Sequence, residues 1–290
     1  MSAYLRFSSA TIQRYRRVQA LLDKLDSKAE PQAVIIPGSP QPRGGVIIFT
    51  GSYNPPTTAH LALLKQGRRY AQQHGNMQVF AAMSKLTVDK ESVERPTQLD
   101  RILLLKLVLP RRVHGAGIML FNRGLYVEQA DAIYRSFPAV QRVLLLVGFD
   151  KIVQIFDPRY YDDRDAALIE LFGRAELLVA PRGHDGEQEL QALLHRAENE
   201  RFAHHIHLLP FSSSYRDISS THIRQVASKQ VEELHDVPPE VRQFMRETRA
   251  YAPPLHHTDG SEVDFYAERV KQLDKLLRQV PKIKSARSGR

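Results

Sequence analysis

The stretch VIIFT at residues 46–50 is followed directly by GSYNPPTTAH at residues 51–60, and then by LALLKQGRRYA. The first part is a continuous apolar run of strand length, and the last has the apolar spacing of a helix. Between them, Gly51 allows a ligand to approach the backbone closely, and the two prolines prevent the strand from continuing. The stretch therefore predicts a strand, a tight turn and a helix, which together form one unit of a parallel α/β sheet.

The same alternation continues along the chain. Apolar runs predict further strands at residues 77–82, 118–121, 143–147, 177–180 and 206–209. Helical patterns lie at residues 60–74, 98–109, 127–137, 163–172, 187–198 and 221–229. This order is typical of an α/β fold with a doubly wound, Rossmann-like parallel sheet and helices on both faces. Such sheets bind ligands beyond the carboxyl ends of their strands, so the residues that follow each strand are the candidate site.

The charge of the chain is concentrated at its ends. The 290 residues include 41 Lys+Arg and 32 Asp+Glu, which gives a net charge of +9, and they include neither cysteine nor tryptophan. Residues 263–290 carry +5 and residues 1–30 carry +3, which leaves +1 for the rest. Nucleic-acid binding is therefore not expected of the body, and it would depend on residues 253–290 and weaken steeply with salt. The absence of cysteine excludes a disulfide scaffold, a thiolate metal site and a cysteine nucleophile.

Segments rich in Pro and Gly divide the chain into three parts. Residues 1–44 are predicted to form an N-terminal helix and a linker, residues 45–252 an α/β domain, and residues 253–290 a basic helix and tail. The start has the composition of a mitochondrial presequence, but an apolar stripe favours an amphipathic helix packed on the body. The stripe consists of Tyr15, Val18, Leu21, Leu22 and Leu25. We therefore expect a cytoplasmic or nuclear protein rather than a mitochondrial one. We expect no membrane association, because no apolar run approaches the roughly 18 residues of a membrane span.

Polar groups follow the first strand. Thr57 or Thr58 can cap the helix, and Thr57 and His60 are three residues apart, so they share one helix face. With the backbone N–H groups of Gly51 and Ser52, they offer a hydroxyl, an imidazole and several donors to one anion. The alternative is an ordinary helix start with a surface histidine.

Two later strand ends carry comparable groups. Gly148 and Asp150 follow the apolar run 143–147, and a carboxylate there suits sugar hydroxyls, although Asp150 could instead be a simple helix N-cap. The sequence SSTHIR at residues 219–224 opens a helix on which Ser220, Thr221 and Arg224 project together. Hydroxyls and a guanidinium at a helix N-terminus indicate a polyphosphate site, and the alternative is a capped helix with a surface arginine.

Together, the three segments resemble the motifs of the nicotinamide/nicotinate mononucleotide adenylyltransferase family, within the nucleotidyltransferase α/β-phosphodiesterase superfamily. GSYNPPTTAH resembles the family's GSFNPxTxxH, with Thr57 where many superfamily members have a first histidine. GFD at residues 148–150 resembles GxD, and ISSTHIR at residues 218–224 resembles ISSTxxR. The resemblance spans residues 51–224 and is closest to fungal-type members.

The resemblance implies that AMP passes from ATP to the 5′-phosphate of a mononucleotide, that pyrophosphate is released and that Mg²⁺ accompanies ATP. It implies catalytic roles for Thr57, His60 and Arg224, with no side chain assigned as a metal ligand. Residues implied in ATP or phosphate binding are Gly51, Ser52, Tyr53, Gly148, Asp150, Ser219, Ser220 and Thr221. Those implied in mononucleotide binding are Lys85 (with Lys90 as its alternative), Tyr161 and Phe121.

The acceptor is less well defined than the reaction. Family members stack the pyridine ring on tryptophans, one of them eleven residues beyond the GxD aspartate, and that position is Tyr161 here. Arg123 could pair with a nicotinate carboxylate or be merely exposed, so both pyridine acceptors stay open. The alternatives are another nucleotidyltransferase, such as a cytidylyltransferase, and an ATP-binding or ATP-hydrolysing regulatory protein that has lost its pyridine acceptor. The expected partners are small molecules, with homo-oligomers left open.

Two smaller features complete the set of candidates. Arg101 matches a family arginine in position, but it could equally pair with an acid on its own helix face. His204, His205 and His207 could ligate a metal, but surface histidines are favoured because the sequence shows no carboxylate partner for them.

Overall fold

A sheet of seven strands forms the centre of the computed structural model, which describes residues 7–85, 95–181, 186–215, 218–256, 258–259 and 261–279. Its strands are β1 (Ala33–Ile35), β2 (Gly44–Thr50), β3 (Gln78–Ser84), β4 (Gly117–Phe121), β5 (Val140–Gly148), β6 (Glu176–Ala180) and β7 (Ile206–Leu208). Their order across the sheet is β1-β4-β3-β2-β5-β6-β7. All neighbours are parallel except β1 and β4, which are antiparallel.

The helices lie around this sheet. They are α1 (Ser9–Lys24), α2 (Thr58–Gln73), α3 (Gln98–Arg112), α4 (Tyr126–Ser136), α5 (Phe149–Phe156), α6 (Arg164–Phe172), α7 (Gly186–Leu194), α8 (Ser220–Ala227), α9 (Pro239–Thr248) and α10 (Phe265–Arg278). A short hairpin of β8 (Leu255–His256) and β9 (Glu262–Val263) precedes α10. Within the described ranges, no helix combines the length and the apolar character that crossing a membrane requires.

The central strands are buried on both faces because successive side chains of a strand point to opposite sides. In β2, Ile47 and Phe49 pack into one apolar layer, and Val46 and Ile48 pack into the other. The first layer includes α1, α2, α3, α9 and α10, and the second includes α4, α5, α6 and α7. The prediction of a parallel sheet covered on both faces is confirmed, and each predicted strand and helix of the body is present with its ends shifted by a few residues.

The segment expected to be a linker contains an additional strand. Residues 33–35 form β1, in which Ala33 pairs with Phe121 of β4, and Ala33 and Ile36 are buried. The prediction of a plain linker is wrong here because the apolar run Ala33–Ile36 covers the open edge of β4. Helices α5 and α9 were also not predicted. The predicted basic tail continues into residues 280–290, which lie outside the described residues.

The helices at the two ends of the chain pack on α3 around a buried carboxylate. Asp100 accepts hydrogen bonds from Tyr266 Oη at 2.7 Å and from Tyr15 Oη. Arg269 also donates to it from both terminal nitrogens, at 2.8 and 2.9 Å. The side chains of Asp100 and Arg269 are only 0% and 3% exposed. Tyr15, Val18, Leu22 and Leu25 are buried, so the amphipathic packing predicted for α1 is confirmed.

Candidate active site

The strand order places the predicted motifs at one edge of the sheet. The chain runs outward from β2 to β3 and β4, whereas β5 lies on the opposite side of β2, so the order reverses between β2 and β5. A cavity of about 300 Å³ lies beyond the carboxyl ends of β2, β5 and β6. Ligands of open α/β sheets bind at such switch points. The lining residues are Phe49, Thr57, Ala59, His60, Leu63, Gly148, Phe149, Asp150, Ala180, Pro181, Phe211, Tyr215, Ile218, Ser219 and Ser220.

Thr57 is the N-cap of α2 and forms a reciprocal capping box with His60. The Oγ1 of Thr57 accepts from the His60 backbone N–H at 3.1 Å, and the Nδ1 of His60 accepts from the Thr57 N–H at 3.0 Å. An Nδ1 that accepts from a backbone N–H carries no proton, so the ring proton of the neutral imidazole lies on Nε2. The local sequence thus fixes both the helix start and the histidine tautomer.

The environment of His60 favours its neutral form. Its ring centre lies 4.9 Å from that of Tyr53 and 5.9 Å from that of Phe49. Removal from solvent lowers the pKa of His60 to about 4. At neutral pH, His60 is therefore a hydrogen-bond donor through Nε2 and carries no charge.

Four side chains hold the turn between β2 and α2. Arg101 Nη1 donates to the Ser52 carbonyl at 2.7 Å, and Arg224 Nη1 donates to the Asn54 carbonyl at 3.0 Å. The buried Asn54 side chain accepts from Tyr251 Oη at 2.5 Å and donates to the Arg95 carbonyl at 3.2 Å. Sequence reasoning missed Asn54 and Tyr251, although a polar residue inside an apolar, proline-rich turn was an available signal for Asn54.

Gly148 and Asp150 occupy the start of α5. The N-cap of this helix is Gly148, and Asp150 lies within its first turn. The simple N-cap alternative for Asp150 is therefore wrong. A side chain at Gly148 would meet nothing within 4 Å, so the cavity wall here is open backbone. Asp150 lines the same cavity as Thr57 and His60.

The third motif forms the start of α8. Ser219 is the N-cap by position, but its hydroxyl makes no capping hydrogen bond within the described structure. Ser219 and Ser220 line the cavity. Thr221 and Arg224 are not among the lining residues, and Arg224 Nη2 donates to Thr221 Oγ1 at 3.2 Å while Nη1 holds Asn54. The structure thus connects Arg224 to the first motif through the backbone of the turn.

Tyr53 packs inside the fold and does not line the cavity. It is fully buried, its φ of 45° lies in the left-handed region, and its hydroxyl donates to the Phe49 carbonyl at 2.6 Å. Gly51 and Ser52 precede it in the turn and do not line the cavity either. The predicted phosphate contact of Tyr53 is therefore open only to its backbone, because its ring packs against His60.

The residues predicted to bind the mononucleotide are not brought together. Lys85 Nζ donates to the carbonyls of Leu22 at 3.0 Å and Leu25 at 2.7 Å, where an ammonium suits the negative end of α1. Phe121 is fully buried in the core. Tyr161 is half-buried, and its hydroxyl donates to the Ile155 carbonyl at 2.8 Å. None of the three lines the cavity, and Lys90, the alternative to Lys85, lies outside the described residues.

Two candidates that the sequence left open have side-chain partners in the structure. Arg123, which was left open as a nicotinate contact, pairs with Glu128 at 2.9 Å. His207, for which the sequence showed no carboxylate partner, contacts Glu176 at 2.5 Å, and Glu176 also pairs with Arg142 at 2.7 Å. Hydrogen bonds from Arg142 lower the pKa of Glu176, although burial opposes this. Among the residues that the structure describes, no three His, Asp or Glu side chains are grouped so that they could hold a metal ion.

Comparison with known proteins agrees with this arrangement. Residues 48–226 match the cytidylyltransferase-like family. The chain belongs to this family. The match covers more than half of the chain and includes all three motifs, so the resemblance predicted from them is confirmed.

Two relatives of this cytidylyltransferase-like chain add detail. A curated Schizosaccharomyces pombe protein, provisionally named nicotinamide mononucleotide adenylyltransferase, is 23% identical over 145 residues, which are 49% of this chain and 55% of that protein. The chain thus spans about half the length of the curated relative that it matches. The solved Plasmodium falciparum nicotinic acid mononucleotide adenylyltransferase, complexed with APC, gives a TM-score of 0.50 at 14% identity, covering 71% of this chain and 96% of that chain. This likeness shows a shared fold.

Proposed function

We propose that this chain transfers the adenylyl group of MgATP to the phosphate of a nicotinamide or nicotinate mononucleotide, with release of pyrophosphate. The observation that carries the proposal is the convergence of Thr57 and His60, Gly148 and Asp150, and Ser219 and Ser220 on one cavity at the β2–β5 switch point. The names of the two relatives support the pyridine mononucleotide as acceptor.

The cavity suits a polyphosphate. The N-terminal ends of α2 and α8 both open on it, and helix N-termini attract anions through their N–H groups and dipoles. In this proposal, His60 donates from Nε2 to a phosphoryl oxygen, and the hydroxyls of Ser219 and Ser220 bind the departing pyrophosphate. The carboxylate of Asp150 accepts hydrogen bonds from ribose hydroxyls.

The reaction needs little acid–base chemistry. An oxygen of the acceptor phosphate attacks the α-phosphorus of ATP and forms a new P–O bond, and the bond to the α,β-bridging oxygen breaks. Pyrophosphate leaves with the electron pair. Because the attacking phosphate is already ionised, a neutral His60 suffices, and the protein contributes alignment and hydrogen bonds to the charged oxygens.

Mg²⁺ enters this reaction as part of the MgATP substrate. Among the described lining residues, Asp150 supplies the cavity's only carboxylate. This donor set fits an ion that keeps several waters and is bound mainly through substrate phosphates.

A second candidate function, hydrolysis of ATP without an acceptor, is favoured by one observation. Lys85 is held by two carbonyls at the end of α1, and Phe121 is buried, so two groups expected to bind the mononucleotide are committed to the fold. By contrast, the residues proposed to bind ATP, such as His60, Asp150 and Ser220, line one cavity together.

The experiment is a mononucleotide panel with MgATP and, in parallel, with MgCTP, read by product mass and by pyrophosphate release. A dinucleotide formed from nicotinamide or nicotinate mononucleotide, in equal amount with pyrophosphate, supports the leading proposal. ADP and phosphate produced without an acceptor support the second candidate. A product formed only with CTP identifies a cytidylyltransferase and overturns both, as does the absence of any turnover.

A further inference from the structure

Arg101 is a buried cation beside the turn that connects β2 and α2. The residue is 6% exposed, its Nη1 donates to the Ser52 carbonyl at 2.7 Å, and its buried Nε has no hydrogen-bond partner among the described residues. Within the described ranges, no carboxylate pairs with it. A buried charge without a counter-ion is costly, so its presence calls for a reason.

The acid nearest to Arg101 in sequence is already committed. Asp100 accepts hydrogen bonds from Tyr15, Tyr266 and Arg269, which occupy both of its carboxylate oxygens. The sequence left open whether Arg101 pairs with an acid on its own helix, and the structure shows that Asp100 does not serve it. Helices α1 and α10 thus take up the adjacent carboxylate, and within the described ranges the positive charge of Arg101 has no acidic partner.

Two guanidinium groups hold alternate carbonyls of the same turn. Arg101 binds the Ser52 carbonyl, and Arg224 binds the Asn54 carbonyl. Because a peptide unit is planar, holding the Ser52 carbonyl also fixes the orientation of the peptide that joins Ser52 to Tyr53. Ser52 is the exposed residue of this turn, whereas Tyr53 and Asn54 are buried.

We propose that Arg101 is a positioning residue for phosphate binding, which orients the peptide that joins Ser52 to Tyr53, with the Tyr53 N–H as the donor, and places behind it a positive charge that no described carboxylate balances. The inference rests on the proposed function and extends its phosphate site from the N-terminus of α2 to the turn that precedes this helix. A bound polyphosphate supplies the negative charge that Arg101 does not receive from the described residues. Burial lowers the pKa of Arg101, but an arginine remains protonated at neutral pH.

The test measures binding rather than turnover, so a failure of the proposed transfer reaction does not affect it. The probes are the Mg²⁺ complex of α,β-methylene ATP and, as a ligand without phosphate, adenosine, both titrated calorimetrically. Arg101→Met keeps the length of the side chain and removes the charge and the donors. The matched control is Arg111→Met, on the exposed part of the same helix, where the side chain is 63% exposed.

Arg101→Met is expected to weaken binding of the ATP analogue roughly 10- to 100-fold, the range for a hydrogen bond to a charged group, and to leave adenosine binding unchanged. Arg101→Lys keeps the charge and should lose less, and Arg111→Met should bind as the parent protein does. If Arg101→Met weakens binding of the analogue and of adenosine equally, the role of Arg101 is merely structural and the proposal is overturned. Unchanged binding of both ligands overturns it as well. If Arg101→Met does not fold, binding of the analogue and of adenosine is compared for Arg101→Lys instead, and a selective loss of analogue binding supports the proposal.

Discussion

Thr57 and His60 satisfy each other across the first turn of α2, because each backbone N–H donates to the side chain of the other residue, at 3.1 and 3.0 Å. The group proposed to contact phosphate is therefore part of the helix cap itself. A change in the protonation of His60 must consequently affect both the helix start and the site, and the first two predictions follow from this coupling.

His60 should titrate far below an ordinary histidine. In protein labelled with ¹⁵N-histidine, NMR should show a proton on Nε2 and a pKa of about 4, because the ring is withdrawn from solvent. The unfolded chain takes up this proton near pH 6.5, before the folded protein does, so the contribution of His60 to stability is lost as the pH falls from about 6.5 to 4. A midpoint near 6.5, or a proton on Nδ1, would contradict the assignment.

Replacement of His60 should abolish most turnover and spare the fold. We expect His60→Ala to lower the rate of pyrophosphate release by roughly 10²–10³-fold, the usual loss for one group that binds developing charge. The loss of its part of the capping box should cost about 1 kcal/mol of stability. His74→Ala, at the exposed end of the same helix, is the control, and substantial residual turnover in His60→Ala would remove the role given to this residue.

Tyr251→Phe tests whether the turn depends on a residue beyond the family match, which ends at residue 226. The change removes the hydroxyl that donates to Asn54 at 2.5 Å. We expect a stability loss of about 0.5–1.5 kcal/mol in denaturant unfolding and a higher KM for ATP. Tyr160→Phe, at a residue that is 63% exposed, should change neither value. A normal KM for ATP in Tyr251→Phe would show that Asn54 holds its position without this hydrogen bond.

Asp100→Asn should be among the most destabilising conservative changes in the chain. It leaves Arg269 buried without its counter-charge, which typically costs about 3–5 kcal/mol. Tyr266→Phe removes one neutral donor from the same carboxylate and should cost about 0.5–1.5 kcal/mol. Chemical denaturation measures both, with the exposed Glu232→Gln as reference, and equal losses for Asp100→Asn and Tyr266→Phe would contradict a charged centre.

The sequence predicted those features that depend on neighbouring residues. The alternation of apolar runs and helical patterns located the sheet because each strand and helix carries its own periodicity. The Thr57–His60 pair was predictable for the same reason, since three residues on a helix suffice to bring the two groups together. Likewise, the three motifs could be assigned to one edge of the sheet, because each motif follows a strand and the carboxyl ends of parallel strands meet at that edge.

Partners that are distant in sequence could not be predicted in this way. Lys85 binds carbonyls 60 and 63 residues away, and His207 meets Glu176 31 residues away, so no local pattern identified either contact. The edge strand β1 was missed because three residues between prolines carry little periodicity, and their strand conformation depends on pairing with β4. The roles of Asp100 and Arg101 differ although they are adjacent, and only the packing of α1 and α10 distinguishes them.

The pairing of Asp100 with Arg269 has a consequence for the order of events during synthesis. The two residues are separated by 169 positions, and all seven strands of the central sheet are encoded before α10. A nascent chain that has completed its sheet still holds this carboxylate without its cation, and contacts between distant segments form slowly because the intervening chain must first be ordered. Among the described elements, α10 rather than β7 therefore supplies this final contact, and until α10 leaves the ribosome the surfaces of α1 and α9 on which it packs stay open to chaperones and proteases.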